Sequence, residues 1–252
     1  MSIPQVGLVA AYPMDGGSAS DVSGRGHDGV ASGVTATRNR FCAPDTALSF
    51  NGSSSVLTIP SHEDFSLNTT GYLSVSAWLR PDGTALNPHG ELIFSRIEGS
   101  GYVHWLGKGE RSGANGNREW SLRIYSADNT EQPPRHNRLS AYLFAYRGGK
   151  GPGSHVEEPV ARGGWVHLVA LFSKPDHRIT LYKNGLLKDS DGFGLGDSFP
   201  IPDGDVRTGD AAVRMGSQDG SSYFCGAIAE VYFYNRLLSD ADIRALYLDA
   251  AP

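Results

Sequence analysis

Short stretches of alternating apolar and polar residues, separated by turn residues, recur along almost the whole chain. In Tyr72–Leu79, every second residue from Leu73 onward is apolar, with Val75 and Ala77 following it. These three side chains would share one face of an extended strand, and the residues between them would point to the other face. The 32 glycines and 14 prolines are spread along the chain rather than clustered, and both residues favour tight turns. The pattern predicts an all-β chain of many short strands.

Ten further segments share these strand signals, and they lie at 7–14, 47–50, 55–59, 91–97, 120–125, 139–146, 166–172, 178–184, 211–216 and 227–234. A helix is predicted only near the end of the chain. There Ser239 can cap the first turn with Asp242 three residues later, while Ile243, Leu246 and Tyr247 share a face. Many strands and a terminal helix predict a two-sheet antiparallel sandwich or jelly roll.

Composition narrows the possible partners. The net charge is −5, whereas binding to nucleic acid needs an excess of Lys and Arg, so we expect no nucleic-acid partner. No apolar run is long enough for a transmembrane helix, and the first residues do not resemble a signal peptide.

The chain has two cysteines, Cys42 and Cys225, and each precedes a predicted strand. A disulfide between them is one interpretation, and two free thiols is the other.

Several motifs are similar, in order and spacing, to those of one known family. They are Gly7–Asp15, Asp21–Gly29, Ala47–Gly52, Leu73–Leu79, Gly164–Ala170, Ile179–Gly185 and Gly226–Ser239. Together they resemble the laminin-G-like, concanavalin A-like lectin/glucanase jelly-roll domains. The resemblance extends from about residue 7 to 248, so we expect residues 1–252 to form a single domain of this kind.

The resemblance implies the fold more directly than the function. Such domains usually bind glycans or glycoproteins, often outside the cell, and some dock to protein partners. The wider class also includes glycoside hydrolases and polysaccharide lyases, so the fold alone does not decide the activity. We expect a carbohydrate-binding module without catalysis, monomeric, with a glycan partner and no membrane partner.

The candidate ligand-binding residues lie between positions 102 and 155, where aromatic, Arg and His residues are concentrated; they are His104, Trp105, Lys108, Arg123, Tyr125, Tyr142 and Tyr146. In a jelly roll the middle strands form a concave sheet, and alternate side chains line one groove. Aromatic rings can stack on sugar rings, and Arg offers a planar fork for carboxylates or sulfates. The pattern favours an acidic glycan. The alternative is that these aromatic residues pack in the core or at its rim.

Catalysis is the second hypothesis. A uronate lyase needs a Tyr or His base together with a group that neutralises the carboxylate, and the segment contains those residue types. A glycoside hydrolase needs two carboxylates flanking the scissile bond, and no strand carries a suitable pair. If the protein is an enzyme, a polysaccharide lyase is favoured over a hydrolase.

The resemblance also implies a structural Ca²⁺, which prefers six to eight oxygen ligands. The positions that match are Asp15 and Asn51, close to the last strand. The family commonly has Asp where this chain has Ala229, so one carboxylate ligand is missing. The alternative is that Asp15 and Asn51 act as turn residues.

Overall fold

The computed structural model describes residues 3–94, 101–110, 117–144, 152–198, 200–201, 208–218 and 220–248. Within these residues the protein is almost entirely β-structure. The strands are β1 Leu8–Tyr12, β2 Val30–Ser32, β3 Thr35–Thr37, β4 Ala47–Asn51, β5 Val56–Ile59, β6 Tyr72–Pro81, β7 Ala85–Leu86, β8 Leu92–Ile93, β9 Tyr102–Glu110, β10 Asn117–Tyr125, β11 Leu139–Leu143, β12 Gly153–His155, β13 Val166–Ser173, β14 Arg178–Lys183, β15 Leu186–Gly192, β16 Val213–Met215 and β17 Cys225–Tyr234. The helices are α1 Leu67–Thr70 and α2 Asp240–Leu248.

Two large antiparallel sheets form a sandwich. The first sheet has the order β15-β14-β13-β6-β17-β4-β3, and β1 pairs with β17 beside this path. The second has the order β12-β11-β10-β9-β16-β5-β2. Neighbours in these orders are mostly distant in sequence, as expected for a jelly roll. The predicted all-β sandwich with a short C-terminal helix is therefore confirmed.

The main core lies between the two sheets. Leu73, Val75 and Ala77 of β6 are fully buried in it, as the alternation predicts. From the second sheet, Leu122 and Ile124 of β10 face the same core. Because side chains alternate along a strand, the residues between them point away from the core. This alternation decides which side chains of β10 can meet a ligand.

The outer face of the first sheet is covered by α2. Ser239 Oγ accepts a hydrogen bond from the Asp242 N–H at 3.2 Å, and the Asp242 carboxylate accepts one from the Ser239 N–H at 3.0 Å. This reciprocal capping box fixes the start of the helix, as predicted. Ile243 and Leu246 then pack on the sheet.

An aromatic stack lies on the same outer face. The Trp78 ring stacks on His167 at 5.1 Å and on Tyr247 of α2 at 5.7 Å, and the Arg40 guanidinium lies 4.1 Å from the Trp78 ring centre. His167 Nε2 is 2.9 Å from Ser76 Oγ. Burial, together with the charge of Arg40, lowers the pKa of His167 to about 3. The histidine is therefore neutral in the folded protein.

This depressed pKa predicts a pH dependence of stability. Below about pH 6.5 the unfolded chain protonates this histidine, while the folded protein does not until about pH 3. The free energy of unfolding should therefore fall as the pH drops from 6.5 to 5, by at most about 1.4 kcal/mol per pH unit from this residue. Urea unfolding at several pH values should show a shallower slope for His167→Gln than for the wild type. Equal slopes would contradict this assignment.

Asp21 organises the loop that follows β1. Its carboxylate accepts hydrogen bonds from the main-chain N–H groups of Ala11, Ser23 and His27 at 2.9 to 3.0 Å. Burial raises the pKa of Asp21, but these hydrogen bonds outweigh burial, and the net pKa is lowered. The loop is thus tied to β1, and His27 is held at a fixed position.

Most predicted strands occur at or near their predicted positions. The important omission is β9, which lies at the centre of the second sheet. The predictions at 95–97 and 145–146 fall outside the described residues.

Both cysteines are free thiols. No helix among the described residues has the length and apolar character needed to cross a bilayer, and a single domain over residues 1–252 stays a prediction.

Candidate functional site

Three neighbouring strands bring a polar and aromatic cluster together on the outer face of the second sheet. Arg123 of β10 pairs in register with His104 of β9, and Tyr125 pairs with Tyr102. On the other side of β10, Tyr142 lies opposite Ser121. We call these five residues, Tyr102, His104, Arg123, Tyr125 and Tyr142, the Arg123 patch. All five lie on one face of the sheet, where His104 and Tyr125 are buried at 4% and 3% exposure and Tyr102 and Tyr142 are partly exposed. That they contact a ligand stays a prediction.

Arg123 lies between two tyrosine rings. Its guanidinium carbon is 4.3 Å from the ring centre of Tyr102 and 4.2 Å from that of Tyr142. The ring of Tyr125 is 6.0 Å away. Each distance is within the range of a cation–π contact. The rings hold the guanidinium in place from both sides.

Arg123 has no carboxylate partner among the described residues. Its Nε donates to Ser140 Oγ at 3.3 Å, and no acid forms an ion pair with it there. The side chain is only 7% exposed, and this burial lowers its pKa, although an arginine remains protonated. The charge is therefore held in a largely buried setting.

The acidic residues at the edge of the patch form hydrogen bonds with groups other than Arg123. Glu131 accepts hydrogen bonds from Tyr102 Oη and from Arg135. Asp189 Oδ2 accepts from the His155 N–H at 2.9 Å and joins β12 to β15. His155 in turn contacts the edge of the Tyr125 ring. These acids stabilise the surroundings of the patch and leave its positive charge uncompensated.

Trp105 does not lie on this surface. It is fully buried in the main core, so its prediction as a flanking ligand contact is wrong. The reason is the alternation itself: His104 points outward, and the next residue of an extended strand must point inward.

The prediction that Lys108 shares a face with His104 is also wrong. A β-bulge lies between them, because Arg123 is opposite His104 whereas Leu122 is opposite Leu106. One extra residue in a strand reverses the side on which all later side chains emerge. Lys108 therefore lies in register with Trp120, a core residue.

The Lys108 ammonium forms a buried ion pair. Its Nζ is 2.8 Å from Glu119 Oε1, and the two side chains are 1% and 2% exposed. The same Glu119 oxygen accepts a hydrogen bond from the Gly209 N–H at 2.8 Å. The pair joins β9 and β10 to the segment around residue 209, which is a structural role.

Removing the lysine should test that role. Lys108→Met leaves Glu119 buried without its cation, so the free energy of unfolding should fall by about 3–5 kcal/mol. Lys188→Met is a matched control because Lys188 pairs with the half-exposed Glu158, and such surface pairs contribute only about 0–1 kcal/mol. Chemical denaturation of both variants measures the difference. Equal, small losses would contradict the buried pair.

The residues proposed for Ca²⁺ have roles in turns. Asn51 Oδ1 accepts hydrogen bonds from the main-chain N–H groups of Ser53, Ser54 and Ser55, which closes the turn between β4 and β5. Asp15 is exposed in a short 3-10 turn. Ala229 is buried against Trp78. The geometry supports the turn interpretation, and the Ca²⁺ site stays a prediction.

Two features of the site were not anticipated. Tyr102 was not among the predicted contacts, because the strand β9 that positions it was not recognised. Gly153 of β12 also borders the patch: a side chain there would meet the Tyr142 ring at 3.0 Å and an Arg123 terminal nitrogen at 3.5 Å. The alternation of Tyr102 and His104 with the apolar Val103 and Trp105 could have indicated the strand. Tyr146 lies outside the described residues.

Several solved structures share this fold. The binding domain of Paraclostridial Mosquitocidal Protein 1 aligns with a TM-score of 0.67 at 14% identity, over 96% of this chain and 52% of the other. The botulinum neurotoxin serotype D ligand-binding domain, solved with N-acetylneuraminic acid, aligns with a TM-score of 0.66 at 14% identity, over 96% and 51%. Trypanosoma rangeli sialidase in complex with sialic acid aligns with a TM-score of 0.62 at 17% identity, over 98% and 34%.

This chain therefore spans about half the length of the toxin domains and about a third of the sialidase. At these identities the likeness concerns the fold. No curated protein matches the sequence significantly. The sequence profile described as "Concanavalin A-like lectin/glucanases superfamily" matches residues 51–244. This match includes every strand from β5 to β17, and the chain belongs to the concanavalin A-like lectin/glucanase superfamily.

Proposed function

We propose that the protein is a carbohydrate-binding module that holds an acidic glycan at the Arg123 patch. The observation that supports this most strongly is the guanidinium of Arg123, which is buried between two tyrosine rings and has no acidic partner among the described residues. A sugar carboxylate or sulfate would supply the missing counter-charge. Bidentate hydrogen bonds between Arg and a carboxylate are stronger than those between neutral groups.

The aromatic side chains complete a surface suited to a sugar. Tyr102 and Tyr142 are partly exposed. The Tyr102 hydroxyl donates to Glu131 and can still accept a hydrogen bond. Tyr142 also contacts Phe144 edge to face at 4.9 Å, which extends the apolar part of the surface. Such a mixture of apolar surface and a few fixed polar groups is typical of small-molecule sites.

Proteins of similar fold bind acidic sugars. Two of the similar folds were solved with sialic acid, a sugar that carries a carboxylate. Each of those proteins is much longer than this chain, so their ligands need not occupy the part that matches. The argument for an acidic ligand therefore depends on Arg123 and its surroundings.

Replacing Arg123 tests the proposal. Arg123→Met keeps much of the packing volume between the tyrosine rings but removes the charge and the donors. On a glycan array, followed by calorimetry, we expect this variant to bind uronate- or sialate-containing glycans at least about tenfold more weakly than the wild type, because hydrogen bonds to charged groups contribute about 1.5–3 kcal/mol. Binding of neutral glycans should change less.

Arg244→Met is the matched control, since Arg244 is exposed on α2 at the opposite side of the sandwich. It should bind like the wild type. Thermal melts of both variants show whether each is folded. If a folded Arg123→Met binds acidic glycans as tightly as Arg244→Met does, the proposal is wrong.

A polysaccharide lyase acting on a uronate is the second candidate. One observation favours it: Arg123, which could neutralise the uronate carboxylate, lies 4.2 Å from the ring of the partly exposed Tyr142, a possible base. Incubation with uronate polymers distinguishes the two functions. Growth of ultraviolet absorbance from unsaturated sugar ends would identify a lyase, and binding without it supports a module that only binds. If the protein neither binds nor cleaves acidic glycans, the remaining hypothesis, a domain that docks to a protein, is favoured.

A further inference from the structure

Two histidines and an aspartate meet at the loop that follows β1 and the turn before α1. Their potential ligand atoms, one each from His27, His62 and Asp64, all lie within 4.8 Å of one another. His27 comes from the loop organised by Asp21, and the other two come from a turn 35 residues later in the chain. We propose that these three residues form a binding site for a divalent transition metal ion, and that Zn²⁺ fits it best.

The distances are close to those that a metal requires. His27 Nε2 lies 2.9 Å from Asp64 Oδ2, and His62 Nδ1 lies 3.4 Å from the same oxygen. In a tetrahedral zinc site with bonds of about 2.0–2.1 Å, neighbouring ligand atoms are about 3.3 Å apart. These two distances are close to that value, and the remaining pair of ligand atoms lies within 4.8 Å, so modest side-chain movements would admit the ion. The ion would replace the hydrogen bond between His27 Nε2 and Asp64 Oδ2.

His27 is held in a fixed position before any ion binds. Its main-chain carbonyl accepts a hydrogen bond from the Tyr12 hydroxyl at 2.5 Å, and its N–H donates to Asp21 at 3.0 Å. Its ring packs against the buried Phe65 with the ring centres 4.9 Å apart. The side chain is 9% exposed. A ligand held in this way loses little conformational entropy when the metal binds.

The other side of the site is open to solvent. The His62 side chain is 48% exposed and lines a surface cavity of about 840 Å³ together with Glu63 and Asp210. Its Nδ1 accepts a hydrogen bond of 3.2 Å from the Asp64 N–H, a contact that this exposed ring would exchange for a metal bond. Arg25 approaches Asp64 at 3.4 Å but is 45% exposed, so it can move into solvent.

The donor set determines the kind of ion. Two imidazole nitrogens and one carboxylate suit Zn²⁺, whereas Ca²⁺ and Mg²⁺ prefer oxygen ligands throughout. Three protein ligands leave a fourth position for water, which is typical of zinc sites that remain accessible. The site is on a different part of the sandwich from the Arg123 patch and does not depend on the proposed glycan binding.

Titration of the tag-free protein with ZnCl₂ in a calorimeter tests the site. We expect saturable binding of a single ion, and Co²⁺ as a probe should give visible absorption of the intensity typical of a tetrahedral site. His62→Ala and Asp64→Asn should each weaken Zn²⁺ binding by at least about tenfold, because each removes a direct ligand and even outer-shell partners change affinity by that amount.

His89→Ala is the matched control, since His89 is exposed in another loop; it should bind Zn²⁺ like the wild type. Because His62 Nδ1 also caps the turn before α1, a modest fall in the metal-free melting temperature is expected for His62→Ala, and thermal melts show whether each variant is folded at the temperature of the titration. Absence of saturable Zn²⁺ binding, or equal affinity in folded His62→Ala and wild type, would overturn the proposal.

Discussion

The alternation of side chains along β9, β10 and β11, interrupted by a bulge in β9, governs both the core and the surface of the second sheet. Each inward residue, such as Leu122 or Ile124, contributes apolar area to the space between the sheets. Each outward residue between them is forced to the opposite face, which is why Arg123 and Tyr125 are neighbours of Tyr102. A shift of one residue in register would bury the guanidinium in the core and expose leucines, so the hydrophobic effect fixes the position of the Arg123 patch.

The bulge in β9 shows how locally this rule can change. It allows His104 to point outward near one end of the strand and Lys108 to point inward near the other. The inward lysine is tolerated because Glu119 lies 2.8 Å away and is equally buried. Arg123 has no such partner among the described residues. Two buried cations of the same sheet thus have different environments: Lys108 is paired with a carboxylate, and Arg123 has none beside it among the described residues.

The sequence was sufficient to predict the sandwich, the alternation in β6 and the capping box of α2, because each depends on local residue patterns. It was also sufficient to bring Arg123, Tyr125 and Tyr142 to one face. It failed for Lys108 because a bulge leaves no clear local signal, and for Trp105 because β9 was not recognised as a strand. The cluster of His27 and His62 could not be predicted either, since it depends on the packing of two loops that are distant in sequence.

The central claim is that the Arg123 guanidinium binds a sugar carboxylate. The most direct measurement is nuclear magnetic resonance of arginine side-chain N–H signals while the protein is titrated with N-acetylneuraminic acid and, separately, with its methyl ester. The two ligands have nearly the same shape, but the ester carries no charge. We predict saturable shifts of the Arg123 signals with the acid and much smaller shifts with the ester. Equal responses to both ligands, or shifts confined to other arginines, would contradict the claim.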